Sequence, residues 1–365
     1  MDKYTTTENK KLLLDKIRKE KQYVIYGAQV IAVGAKEAIK HLTGISPLCF
    51  VVGKSQGRCP SGNPSDIDGI EVLPIDIINK DTFIVVAVTE LIQKEVLPFL
   101  REQGYQNVFP LTAHEEHMLM SEYYKSIGLF PLADCVESNS INRDFVIYEV
   151  MNDKDKPLDY HPELFSYEKS IQAGAALTDI SLTEIKDNTE ENISTKNRMY
   201  CEMSAVYWIW KNTNHDWVGI EHYRRHLLVK PTMLSEDIDA ILPLPYICYP
   251  DEATQFLRFT TKDVLNTLLK ALKDLHPDKY EEYYNIIFGK YQYTYNMICV
   301  RKKVFDDYCS WFFEITEYME TMADSVPEIK ETRALSYVAE VLTNLYFMSN
   351  QKNLRIRHVE KEIYT

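Results

Sequence analysis

The chain has 365 residues, room for two or three average domains, with 45% hydrophobic residues and a formal charge of -13. The acidic balance argues against general nucleic-acid affinity, which needs a surplus of Lys and Arg. No run approaches the ~20 apolar residues of a transmembrane helix, and the polar start Met1 to Lys11 lacks the apolar core of a signal peptide. A cytoplasmic protein is expected, with peripheral contact at the inner membrane face compatible with these features. Cys49, Cys59, Cys135, Cys201, Cys248, Cys299 and Cys309 are scattered, with no Cys-x-x-Cys pair. That spacing argues against a disulfide framework or a structural zinc site.

Residues 8 to 21 predict a helix whose apolar stripe is Leu13, Leu14 and Ile17. Tyr23 to Tyr26 predicts a buried strand, followed by Gly27-Ala28 and a helix from Val30 to Leu42. Pro47 to Val52 predicts a second strand, and the Gly-, Pro- and Ser-rich stretch Gly53 to Asp68 a loop. A third strand is expected over Thr82 to Val88, a helix over Leu91 to Glu102 and a closing strand over Val108 to Leu111. Alternating strands and helices imply a parallel sheet with right-handed crossovers. The expected organisation is a Rossmann-like domain over 1–125, a connector over 126–145 and a second domain over 146–365.

Gly27-Ala28-Gln29-Val30-Ile31-Ala32 is a degenerate dinucleotide fingerprint. Only its first glycine is present, which argues against NAD-dependent chemistry. A helix N-terminus there remains able to hold an anion. His114 and His117 stand three apart among acids, a spacing that fits a solvated helix face better than a metal pair.

In the second half, Phe145 to Val150 predicts a strand and Asn152 to Pro157 a polar turn. The polar loop Asp187 to Ser194 precedes a helix from Met199 to Trp210, capped by Asn197. Later helices are expected over Lys303 to Met319 and Glu331 to Phe347. The most informative stretch is Trp217 to His226. Its apolar run Val218 to Ile220 reads as a buried strand, ending in His222, Arg224, Arg225 and His226. Such a cluster can hold a diphosphate; equally, the arginines can bridge to nearby acids. In an unbroken strand Arg224 and Arg225 point to opposite faces, so joint use requires a turn. Glu202, among Cys201, Met203 and Ala205, is a candidate site acid, because burial there demands a partner.

A set of motifs in order carries a family resemblance: Asn192-Ile193-Ser194 with Asn197; Cys201 to Asn212; Val218 to His226; Asp239 to Pro243; Tyr295-Asn296-Met297; Tyr308 to Phe313; and Arg333 with Glu340. Over about residues 146 to 350 the chain resembles the capsular polysaccharide synthesis family of GT-A-like glycosyltransferases, formerly a domain of unknown function. Some members resemble galactofuranosyltransferases. The expected fold is α/β, an N-terminal Rossmann-like parallel sheet domain plus a GT-A-like glycosyltransferase domain.

The resemblance implies a hexosyltransferase of capsular or surface polysaccharide assembly. Its donor would be a nucleotide-diphosphate sugar, with a UDP-sugar leading and UDP-galactofuranose as the family-level choice. Its acceptor would be a glycan or lipid-linked oligosaccharide, and other polysaccharide-assembly enzymes would be partners. A non-catalytic sugar-nucleotide-binding or scaffold protein of the same pathway is the alternative. One departure is that Gln255 to Thr260 has no histidine where related chains often have one.

Within that frame Asp239, His222 and Glu202 are the expected catalytic groups. Arg224, Arg225, Asp179, Gly174 and Asn188 are expected at the donor. Asp237-Ile238-Asp239 has the Asp-x-Asp spacing suited to Mn or Mg bridging a diphosphate; Ser235-Glu236-Asp237 equally suits a helix cap. Asp187 and Asn188 are expected in a loop that closes over a ligand. Arg333 and Glu340, two helical turns apart, are expected to hold the last helix to the core.

Overall fold

A computed structural model describes residues 6–53, 63–135 and 144–365. The chain divides into two units. One comprises Met1–Pro131, Tyr246–Arg258 and Thr365; the other comprises Leu132–Pro245 and Phe259–Tyr364.

In the first unit α1 (Thr6–Glu20) buries Leu13, Leu14 and Ile17, the stripe expected from periodicity. Then follow β1 (Tyr23–Tyr26), α2 (Val30–Thr43), β2 (Phe50–Val52), β3 (Asp66–Ile67), β4 (Ile70–Pro74), β5 (Phe83–Val86), α3 (Glu90–Glu102), β6 (Val108–Pro110) and α4 (Ala113–Ser126). The sheet order is β3-β4-β2-β1-β5-β6. β4, β2, β1, β5 and β6 run parallel, and β3 pairs antiparallel with β4. β1 and β5 are buried throughout, so their sequences are continuous apolar runs. β4 mixes half-buried Ile70, Val72 and Leu73 with exposed Glu71 and Pro74, which hides it from a hydrophobic-run reading.

Gly27 has a left-handed φ of 124°, and a Cβ there would lie 2.6 Å from the Ala87 carbonyl oxygen. The surviving glycine of the fingerprint therefore serves close packing against the end of β5. Beside it, Ala28, Gln29, Val30, Pro64, Tyr249 and Arg258 line a shallow depression.

The second unit starts with β7 (Phe145–Met151), β8 (Glu168–Gln172) and β9 (Ile185–Lys186). Two short helices, α5 (Asn197–Tyr200) and α6 (Met203–Asn212), lead to β10 (Trp217–His222), β11 (Arg225–Leu227) and β12 (Ala240–Pro243). Helices α7 (Lys262–Leu275) and α8 (Tyr280–Ile287) precede β13 (Ile298–Arg301), α9 (Lys302–Thr321), α10 (Ala334–Ser349), β14 (Ile356–Val359) and β15 (Lys361–Ile363). The main sheet runs β14-β12-β13-β10-β7-β8-β9. Numbered by appearance within this sheet, the order from the β9 edge is 3-2-1-4-6-5-7. Only the sixth strand, β13, opposes its neighbours β10 and β12; the other pairs are parallel. One face is a core of Phe145, Ile147, Trp217, Leu227, Ile241, Met297 and Cys299. Gly219 fits there because a Cβ would come within 2.6 Å of the Ile147 side chain.

The single helix expected from Met199 to Trp210 is broken in two. Cys201 takes φ 47°, and Glu202 is the N-cap residue of α6. Asn197 is the first residue of α5 and does not cap a longer helix. Its amide donates to the Cys201 carbonyl at 2.7 Å and to Ser204 Oγ at 2.9 Å. Polar side chains inside an apolar helical pattern have captured the backbone groups a continuous helix would use.

Candidate functional site

The strand order reverses between β7 and β10, because β8 lies beyond β7 on one side and β13 beyond β10 on the other. Open α/β sheets bind ligands outside the carboxyl ends of the strands at such a switch point. Here those ends are Met151 and His222, with Val150 level with His222.

β10 does not run on as a strand. Tyr223-Arg224 forms a tight turn, and Arg225 returns opposite His222. The turn is what both arginines need to act around one centre. The Arg225 guanidinium lies 4.1 Å from the centre of the Tyr295 ring. The Arg224 guanidinium lies 5.6 Å from the Tyr223 ring centre, and its buried Nε has no hydrogen-bond partner. His222 Nε2 donates to the Tyr295 carbonyl at 2.6 Å, which leaves Nδ1 as the basic nitrogen of the neutral ring. Burial lowers the His222 pKa; Arg225 and Arg224 push the same way, while Glu202 and the Tyr295 carbonyl oppose them.

Glu202 accepts from Asn296 Nδ2 at 2.8 Å, as a polar partner for a carboxylate in an apolar stretch requires. Glu340, on α10, is pushed up to about 7, first by burial and then by Glu202; Arg225, the Tyr295 N–H and Arg333 pull it back. Asp155, after β7, is pushed up to about 6 by burial, against the Asn152 N–H and Arg224. Arg333 Nε donates to Cys201 Sγ at 3.1 Å. The result is one region holding His222, Arg224, Arg225, Glu202, Glu340, Arg333 and Asp155. Tyr295 and Asn296, at its edge, have left-handed φ of 70° and 52°. Strain of this kind persists where the surroundings overdetermine it, and it concentrates at functional sites.

Asp187 does not belong to a closing loop. It is fully buried, and it accepts from the Gly174 and Ala175 N–H groups at 2.8 and 3.0 Å and from Ser194 and Ser204 hydroxyls at 2.5 and 2.6 Å. Gly174 likewise is not open space for a donor. Its φ is 72°, and a Cβ would lie 2.6 Å from the Asn197 side chain. Asp187, Ser204 and Asn197 together hold the strained Cys201 turn that presents Glu202. Asp179 and Asn188 are exposed on loops.

Asp237 and Asp239 sit elsewhere. Asp239 precedes β12, whose Ala240 is level with Val300, as is Val218 of β10. Asp239 is therefore level with the amino end of β10, two strands away from it and about 16 Å from the level of His222 at ~3.3 Å per residue. Arg355 holds its carboxylate through Nε at 2.9 Å and Nη2 at 2.8 Å, keeping its pKa below the usual range. Asp237 is fully exposed and bonds Ser235, the cap-like alternative. This pair does not fit a metal at the His222 site, because it lies at the wrong end of the sheet and Asp239 is already paired. Neither His114 nor His117 joins a metal-donor cluster among the described residues.

His226 also leaves the cation cluster. It faces the other side of the sheet, with Nε2 3.2 Å from Glu149 and Nδ1 3.8 Å from Glu221. Glu221 is pushed up to about 8 there, chiefly by burial. Sequence reasoning missed the part of Asp155, for which a polar turn was the only signal. It read Glu340 as a packing residue, because helical spacing does not reveal which element a carboxyl meets.

The fold defines a mixed α/β protein. The apo structure of WbbM, a bifunctional glycosyltransferase, has the same fold with a TM-score of 0.54 and 24% identity, over 60% of this chain and 45% of that one. The chain thus spans less than half the length of that protein. Residues 154–352, more than half of the chain, match the family described as Domain of unknown function (DUF4422), and the chain belongs to that family. No curated protein matches it.

Proposed function

We propose that the second unit transfers a sugar from a nucleotide-diphosphate donor. The observation that carries this reading is the cluster of cations around His222 at the switch point of a GT-A-like sheet. Glycosyl transfer needs positive charge at the departing diphosphate and a base for the acceptor hydroxyl. Arg225 and Arg224 serve the diphosphate, with Arg333 in reserve beside them. His222, kept neutral, accepts the acceptor proton at Nδ1. Glu340 and Glu202 orient the arginines and the sugar hydroxyls. Likeness to a bifunctional glycosyltransferase supports the same reading. The finer proposal is a UDP-hexose donor, galactofuranose first, and a glycan or lipid-linked acceptor in surface-polysaccharide assembly. Acceptor presentation at a membrane would be peripheral, since among the described residues no helix is long and apolar enough to cross one.

The test is a binding and donor-hydrolysis screen of UDP-, GDP-, dTDP- and CMP-sugars. One responding donor supports transfer and selects the acceptors to try. Binding of none by folded protein sinks the proposal.

A further inference from the structure

Across the sheet from His222, three strands and the hairpin β11 bring together a second set of chemistry-bearing groups. Glu168, Glu221 and His226 are 8%, 0% and 4% exposed, and one donor atom from each lies within 4.8 Å of the others. Glu168 Oε2 accepts the Phe165 N–H at 2.7 Å, and Glu221 Oε2 accepts the Leu227 N–H at 3.0 Å. Each carboxyl is thereby oriented through one oxygen. Glu221 Oε1 is buried and has no hydrogen-bond partner; its neighbour is His226 Nδ1 at 3.8 Å. A lone buried carboxyl oxygen is costly unless a cation or proton meets it.

The surroundings of His226 point the same way. Its Nε2 is 3.2 Å from Glu149 Oε1, and Ser170 Oγ donates to Glu149 Oε2 at 2.6 Å. His161 Nε2 also lies 3.1 Å from Glu149 Oε1. With Nε2–H donated to Glu149, the neutral His226 ring carries its lone pair on Nδ1, the nitrogen beside Glu221. A carboxylate behind a histidine is the usual outer support of a metal-bound imidazole.

We propose that Glu168, Glu221 and His226 bind one divalent transition-metal ion, and that Zn²⁺ is the ion their nitrogen and oxygen donors suit. One imidazole and two carboxylates make a three-ligand set of the kind zinc accepts. The donors come from β8, β10 and β11, with Glu149 of β7 behind them. The ion would therefore pin the hairpin β11 to the sheet directly beneath the His222 turn.

The test uses the full chain, stripped with chelator and dialysed against Zn²⁺, with Mg²⁺ and Mn²⁺ as separate arms. Metal content, the visible spectrum after Co²⁺ substitution and the melting temperature are read. The expected result is about one Zn²⁺ per chain and a melting temperature raised by Zn²⁺. Glu221→Gln and His226→Asn should lower affinity by at least ~10-fold and abolish the rise, and Glu149→Gln should lower it by ~10-fold from outside the donor set. Glu149→Gln also gives a readout if either ligand variant fails to fold. Wild-type protein that takes up no Zn²⁺, or variants that retain it equally, would overturn the proposal. None of these readouts requires sugar transfer, so failure of the donor screen leaves this result standing.

Discussion

Glu221 and His222 are adjacent in β10, yet they belong to opposite chemical environments. On the His222 face, Arg224, Arg225 and Arg333 gather around a histidine whose pKa is lowered, first by burial and then by Arg225 and Arg224. On the Glu221 face, Glu149, Glu168 and Glu221 surround His226, whose pKa is raised by Glu149 and Glu221 against the cost of burial. The two-residue period of a strand separates these sets across one sheet thickness. Two histidines four residues apart can thus have opposite tendencies to ionise. The lesson is that a cation-rich motif must be divided by face before it is given a role.

The comparison is broken or sharpened most strongly by Arg225→Ala. Removing a preorganised cation from a developing diphosphate should cut donor turnover about 10²–10³-fold, while melting shifts by only a few degrees. Turnover within threefold of wild type would remove Arg225 from the proposed chemistry.

A medium effect is expected from Glu340→Gln, read as stability against pH. The folded carboxyl is raised to about 7 and the free one titrates near 4.5. The folded state therefore holds the proton more tightly than the unfolded state. Its contribution is fully present below about 4.5, declines as pH rises towards 7 and is then gone. Urea titrations from pH 4 to 8 should show wild type losing on the order of 2 kcal/mol from this group, and the variant lacking that slope. An unchanged slope would mean that the Glu340 carboxyl binds its proton equally well in the folded and unfolded states.

The smallest effect is expected from Asp239→Ala. Its paired carboxylate lies level with the far end of β10, two strands away, so turnover should stay within about twofold, with a stability loss of roughly 1 kcal/mol. A loss of turnover as large as that of Arg225→Ala would restore Asp239 to the site and undo the division proposed here.

Much of the architecture was legible in the chain. Buried parallel strands carry continuous apolar runs, so β1, β5, β7 and β10 stood out, and Leu13, Leu14 and Ile17 named the buried side of α1. β4 did not stand out, because a half-exposed strand carries no such run. Near the switch point, local pattern singles out His222, Glu202, Arg224 and Arg225, because cations after a buried strand and an acid among apolar neighbours both demand a partner; their expected roles came from the family resemblance. Asp239 was misplaced, since Asp-x-Asp spacing does not say which end of a strand it occupies.

The sequence by itself determined the α/β alternation, the buried strands and the presence of a cation cluster after β10. These follow from side-chain periodicity and local charge, which act over a few residues. Only the tertiary structure decided that Tyr223-Arg224 turns, that Cys201 breaks a helix to present Glu202, and that Glu340 and Asp155 both come into the field of Arg333. It also decided that His226 joins Glu149, Glu168 and Glu221. Those outcomes depend on strand order and register, which bring together residues up to 185 positions apart, from Asp155 to Glu340. No local pattern records such contacts.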